Sequence, residues 1–410
     1  MNLQSDLIPQ LFKTEYRKIV SVLCKYFGLD QVALAEDIAS DTFLTASETW
    51  GQLQDIPANP TAWLYHVAKN KARNYLQREY LFKNEISRNI AKAEGNPTFE
   101  IDLSPQNILD SQLQMLFAIC HPAISPEAQV GLALRILCGF GIDEIADAFL
   151  TNKETINKRL FRAKEKLRED NIAIEMPPQS TLNHRLDAVL TTIYLLFSEG
   201  YYSASQHTTI RKELCVEAMR LCFMLTAHET TNLPRVNALL SLMCFHASRF
   251  EARTNARGEL VLYEEQDTTL WDEDLIKQGK YFLNCAASGN RLSRYHLEAA
   301  IAYWHTHKDD TPEKWEHILQ LYNQLLLIEY SPLAALNRTY AMSKARGKKE
   351  AIAAAEKLEL RNSHFYYALL GELYRDIDDQ VARQHYEKAL SLAKTLADRQ
   401  MIQQKIAGMR

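Results

Sequence analysis

The sequence predicts an all-α protein: two small helical domains, the second a helix-turn-helix, followed by an α-helical repeat-like C-terminal domain. Three observations lead there. Only 13 Gly and 12 Pro interrupt 410 residues, and apolar residues recur at helical spacing almost throughout. Residues 141–169 (GIDEIADAFLTNKETINKRLFRAKEKLRE) read as a short helix, a tight break and a basic second helix, the pattern of a helix-turn-helix. Near the end, Tyr367, Leu370, Gly371 and Tyr374 precede Ala382, Tyr386 and Ala389, a tetratricopeptide-type spacing with one residue fewer between its halves.

Bulk composition narrows the function. The net charge is −4, from 47 bases against 51 acids, so any nucleic-acid binding must come from local patches. The seven cysteines are scattered without CxxC pairs, which argues against a disulfide framework or a zinc ribbon. The first residues lack a signal-peptide pattern, and no apolar run approaches the roughly 20 residues of a membrane span. The expectation is a cytoplasmic protein with no membrane association, no cofactor and no metal.

Residues 7–93 form the first expected domain. Its opening helix carries Leu11, Tyr16, Ile19, Val20, Leu23 and Phe27, with Gly28 as its stop. A second helix, residues 33–50, has apolar spacing from Leu34, Ile38, Phe43 and Leu44, and exposes Asp37 and Asp41 four residues apart. That acidic pair is either a solvated face or a contact for a basic partner. The loop 51–60 ends in a helix start, with Asn59 as cap and Pro60 in the first turn. The helix 61–79 then turns Trp63, Leu64, Val67, Ala68 and Leu76 inward. Lys69, Asn70, Lys71, Arg73, Asn74, Gln77 and Arg78 make its polar and basic face, close to several aromatics. Basic and aromatic side chains together suit phosphates and unstacked bases.

A polar linker is expected at 94–104, and a second helical domain at 105–170. Ser125 marks one helix start, and Thr151 with Glu154 reads as a capping box ahead of the basic helix. Pro177-Pro178 falls in a second linker, 171–180. Residues 181–410 then form a helical, tetratricopeptide-like domain, in which one repeat-like unit must stack on neighbouring helix pairs. No GxSxG elbow, P-loop or GxGxxG is present. His305 and His307 lack metal-ligand spacing and read as a surface turn. The stretch 259–276 (ELVLYEEQDTTLWDEDLI) alternates apolar and acidic residues, either as a contact surface or as a structural loop.

The stretches AEDIASDTFLTA (35–46), NPTAWLYHVAKNKARNYLQRE (59–79) and GIDEIADAFLTNKETINKRLFRAKEKLR (141–168) resemble those of bacterial sigma factors of the extracytoplasmic-function (ECF) type. CHPAISPEA (120–128), IYLLFSEGYYSAS (193–205), ELVLYEEQD (259–267), YHLEAAIA (295–302) and SPLAALNR (331–338) resemble the subgroup with a long helical C-terminal extension. The resemblance implies two partners, core RNA polymerase and promoter DNA, and a non-enzymatic role in starting transcription. Asp37, Asp41 and Phe43 would meet the polymerase. Asn59, Lys69, Asn70, Arg73, Asn74 and Arg78 would hold the melted non-template strand. Lys153, Thr155, Lys158, Arg159 and Arg162 would read duplex DNA through the major groove. The C-terminal extension would regulate or assist initiation, with a regulatory protein or peptide as its partner. The chain departs from the family pattern where Phe149-Leu150-Thr151-Asn152 lacks the usual turn glycine, and where Arg73-Asn74 replaces an apolar residue and Asp. A helix-turn-helix regulator with a sensing repeat domain, acting without polymerase, is the alternative.

Overall fold

A computed structural model of the chain describes residues 7–53, 56–87, 100–202, 208–253, 261 and 263–409. Every regular element among them is helical, with no strand, and none is long and apolar enough to cross a membrane. The chain divides into two compact units, Met1–Leu225 and Thr226–Arg410.

The first unit begins with α1 (Leu7–Phe27), a 3-10 turn (Leu29–Gln31), α2 (Val32–Leu53) and α3 (Pro60–Ser87). α1 buries Ile19, Val20, Val22, Leu23 and Cys24, and stops at Gly28, whose φ of 91° suits a residue without Cβ. α2 contributes Ala35, Ile38, Ala39, Ala46 and Trp50 to the same core. α3 faces it with Leu64, Ala68 and Ala72, four residues apart on one side of the helix. α2 runs further than the sequence suggests, so Gly51 is helical and the loop before Pro60 is short. Residues 54–55 of that loop and 94–99 of the expected linker lie outside the described residues. The linker's last part is ordered into the fold, since Ile101 is fully buried.

α4 (Pro105–Ile119) and α5 (Pro126–Leu132) both start the same way. Ser104 and Ser125 cap them through bonds from Asn107 N and Ala128 N, and a proline fills the first position. α5 passes into a π-turn, Ala133–Leu137, where one extra residue per turn shifts the helix face. α6 (Ile142–Ala148) and α7 (Lys153–Glu169) follow. Gly131 lets α7 approach, because a Cβ there would sit 2.9 Å from the Leu160 side chain.

α8 (Gln179–Tyr202) and α9 (Thr208–Thr226) complete this unit, although the sequence assigns residues from 181 onward to the C-terminal domain. α8 buries Leu186, Val189, Leu190, Ile193 and Leu196, and α9 buries Leu214, Ala218 and Leu221 while leaving Val216 and Phe223 exposed. Long-range hydrogen bonds fix them there. Thr192 Oγ1 donates to Gln129 Oε1 of α5 at 2.7 Å, and Arg220 Nη2 donates to Leu137 O at 2.8 Å. The 171–180 stretch is thus a connection within one unit.

The second unit holds α10 (Pro234–Ala247), α11 (Glu273–Ala286), α12 (Arg294–Trp304), α13 (Pro312–Ile328), α14 (Pro332–Arg346), α15 (Lys348–Glu356), α16 (His364–Tyr374), α17 (Asp379–Leu392) and α18 (Leu396–Ala407). Neighbours pack in sequence, most extensively α10 on α11, α13 on α14 and α16 on α17. Gly371 explains the repeat-like spacing seen in the sequence: a Cβ at that position would stand 2.9 Å from the Tyr386 ring. The ring fills the space a side chain would need, with Leu370, Ala382 and Ala389 buried around it.

Candidate nucleic-acid interface

The acidic helix presents what the sequence suggests, with one exception. Asp37 and Asp41 are exposed on α2, and Asp41 makes only a loose 3.8 Å ion pair with Lys71. Phe43 is a correction. It is only 5% exposed, its ring lies 5.1 Å from Phe12 and 6.3 Å from Tyr16, and so it serves the core instead of offering surface to a partner.

α3 is set by Asn59, whose Oδ1 accepts from Ala62 N at 3.0 Å. This cap leaves the side-chain amide of an exposed residue facing outward at the loop end. Trp63 stacks obliquely against Trp50 at 5.1 Å, tying the helix start to α2. On the next turns, Asn70, Asn74 and Arg78 follow one another at four-residue intervals, and Lys69 and Arg73 form a second row, the two rows lying on either side of the helix away from the buried Leu64–Ala68–Ala72 line. Asn70 Nδ2 is 2.9 Å from His66 Nε2. The residues named from the sequence thus form two adjoining rows that together cover about half of the helix surface. A residue the sequence analysis missed holds α3 to α1: buried Glu15 accepts from Tyr65 Oη and from Lys18 Nζ. A Glu on a helix carries no local sign of such a role.

The helix-turn-helix is built by two local devices. Gly141 N donates to Glu144 Oε2 at 2.6 Å at the start of α6. At the start of α7 the cap is Asn152, whose Oδ1 accepts from Thr155 N at 2.8 Å, which displaces the expected Thr151 cap by one residue. The missing glycine is also accounted for. Leu150 takes φ = 49°, the left-handed conformation a turn glycine would adopt, with its side chain 66% exposed.

Thr155, Lys158, Arg159 and Arg162 line one groove together with Ile124, Ser125 and Ala128. Their spacing on α7 places them on one face, while Ile156, Leu160, Ala163 and Leu167 are buried. Arg159 lies over the Phe149 ring at 5.6 Å, a cation–π contact that orients the guanidinium. Lys153 stands apart from the groove and pairs with Asp143 on α6. Glu127 at the groove edge is held below the ordinary glutamate range by backbone hydrogen bonding, then by Ser125 and by Arg159. Two further features here left no sign in the sequence. Ser125, the cap of α5, joins the groove from outside the basic helix, and Phe161 is 62% exposed on another side of α7.

Residues 11–80 match the family model for Sigma-70 region 2. Residues 185–287 match a family of unknown function, DUF6596. An uncharacterized protein of Rhizobium meliloti, R00370, is 32% identical over 389 residues, covering 92% of this chain and 90% of its own length. The ECF RNA polymerase sigma-E factor of Salmonella typhimurium is 26% identical over 153 residues, 36% of this chain and 78% of that protein. Its counterpart in Haemophilus influenzae is 24% identical over 152 residues. No solved structure matches the chain.

Proposed function

From membership of the extracytoplasmic-function sigma factors, the family to which this chain belongs, we propose that it joins core RNA polymerase in the cytoplasm and directs initiation at particular promoters. The observation that carries the reading is the pairing of two separate surfaces in one unit. One is the polar face of α3 beside exposed Asp37 and Asp41, and the other is the basic groove of α7. Asp37 and Asp41 dock on basic side chains of polymerase. Asn59 and the face formed by Lys69, Asn70, Arg73, Asn74 and Arg78 hold the melted strand, where stacking and phosphate contacts offset the few kcal/mol of unstacking each base.

Thr155, Lys158, Arg159 and Arg162 contact duplex DNA, with Lys153 on the flanking phosphates. Arginine suits bidentate recognition of guanine, and the shorter side chains suit the backbone. The tetratricopeptide-like second unit regulates or assists these steps through a protein or peptide contact. A helix-turn-helix regulator acting without polymerase would leave the α2 and α3 surfaces without a role.

Purified protein mixed with core polymerase and candidate promoters should give a stable complex and transcripts from defined start sites. Absence of both would overturn the reading.

A further inference from the structure

In the second unit, segments far apart in sequence enclose a cleft of about 410 Å³ that the transcriptional reading does not use. Its walls are largely aromatic. Tyr263 meets His305 edge-on at 5.1 Å, His305 meets Trp315 at 5.8 Å, and Trp315 meets Tyr340 at 5.5 Å. Tyr386 and Ile402 complete the lining. Clefts that hold small organic ligands have roughly this size and this apolar character, with a few polar groups that fix orientation.

The polar groups differ in how they are satisfied. Glu264 accepts from Tyr340 Oη at 2.7 Å and pairs with Lys344 at 3.0 Å. Glu372 accepts from Tyr386 Oη at 2.8 Å and from Lys405 Nζ at 2.9 Å. Both carboxylates are therefore neutralised by partners at the cleft wall. Arg249 is the contrary case. It is only 7% exposed, its guanidinium lies over the Tyr263 ring at 5.5 Å, and its buried Nε has no hydrogen-bond partner. Among the described residues no carboxylate forms an ion pair with it. A buried cation without a counter-charge is costly, and this one lines an open cleft. His305 does not compete for an anion, since burial and the neighbouring Arg249 and Lys314 keep it neutral.

We propose that this cleft binds a small organic anion, with a planar apolar body between the aromatic walls and its carboxylate or phosphate group on Arg249. The site is separate from the surfaces assigned to transcription, and its occupancy does not depend on that assignment. The stretch 259–276, noted in the sequence for alternating apolar and acidic residues, supplies Tyr263 and Glu264 to the cleft; its residues 259, 260 and 262 lie outside the described ones.

The full-length protein can be titrated with 1-naphthoate, 1-naphthyl phosphate and neutral 1-naphthamide, followed by calorimetry and tryptophan fluorescence. At least one anion should bind about tenfold or more tightly than the amide, the scale of one charge-assisted contact. The ratio of the two anions identifies the preferred oxyanion. Arg249→Met should bring the bound anion down to the level of the amide, and Met401→Trp, which fills the cleft, should remove binding of all three. Equal binding of anions and amide by the unmodified protein would overturn the proposal, as would no binding at all. Unchanged anion binding in a folded Arg249→Met protein would do the same. The comparison within the unmodified protein decides the question even if a variant fails to fold.

Discussion

Glu36 on the acidic helix α2 and Arg135 in the π-turn ahead of the helix-turn-helix form an ion pair at 3.0 Å, linking the two modules of the first unit. The same junction carries a bond from Lys25 Nζ to Asn107 Oδ1 at 3.2 Å and one from Asp102 N to Tyr26 Oη at 3.2 Å. α1 also packs on α4, and α7 on the 3-10 turn Leu29–Gln31. The surfaces proposed for polymerase, melted strand and duplex thus belong to one packed assembly. Both partners of the pair are partly exposed, and Arg135 Nη1 also donates to Phe140 O at 3.2 Å, so Arg135→Ala should lower stability by about 1–2 kcal/mol. High salt should shrink the difference between the two proteins, and amide exchange near Glu36 should quicken. A loss of several kcal/mol would show that Arg135 has a packing role beyond the pair.

Leu150 gives a prediction of the opposite sign. A left-handed backbone costs a residue with Cβ roughly 1–2 kcal/mol, and glycine returns part of that gain through unfolded-state entropy. Leu150→Gly should therefore stabilise the protein by up to about 1 kcal/mol, since the exposed side chain gives up little burial. Leu150→Val should destabilise it. Urea unfolding of both variants would check the pair, and a destabilised glycine variant would count against strain at this turn.

Asn152 rather than Thr151 caps α7. Asn152→Ala should cost about 1 kcal/mol and weaken duplex binding, because Thr155 and the groove behind it lose their fixed start. Thr151→Ala should leave both nearly unchanged. Equal effects of the two substitutions would contradict the capping geometry.

The acidic pair is a test of docking. Asp41 is held only by the exposed contact to Lys71, so Asp37→Ala with Asp41→Ala should leave the melting temperature almost unaltered. Polymerase binding should fall at least tenfold while duplex binding persists. A parallel loss of fold would assign the pair to structure.

Acid should weaken the second unit. Burial, followed by the charges of Arg249 and Lys314, holds His305 at about 3. The unfolded chain takes up a proton on this residue below its ordinary value near 6.5, whereas the folded chain does not. The contribution is thus complete above pH 6.5 and is lost as pH falls towards 3. The loss by pH 5 is at most about 2 kcal/mol. His305→Gln, which does not titrate, should melt with a flatter dependence between roughly pH 7 and pH 5. An identical slope would remove His305 as a source of acid lability.

Local chemistry along the chain determined much of this protein. Apolar spacing set the helices, Asn59 and Ser125 marked helix starts, and residues 141–169 declared a helix, a turn and a basic helix, because caps and periodicity act over only a few residues. The basic and polar faces of α3 and α7 were legible for the same reason: helical spacing fixes which side chains lie together. Tertiary packing decided what spacing leaves open. It sent Phe43 inward against Phe12, pushed Leu150 into a glycine's conformation, drew α8 onto α4 and α5 and tied α9 to the π-turn. It also gathered Arg249, Tyr263, Trp315 and Tyr386 around one cleft. Each outcome depends on which apolar face meets which across tens to hundreds of residues. A helical pattern gives the direction of a face and not its partner.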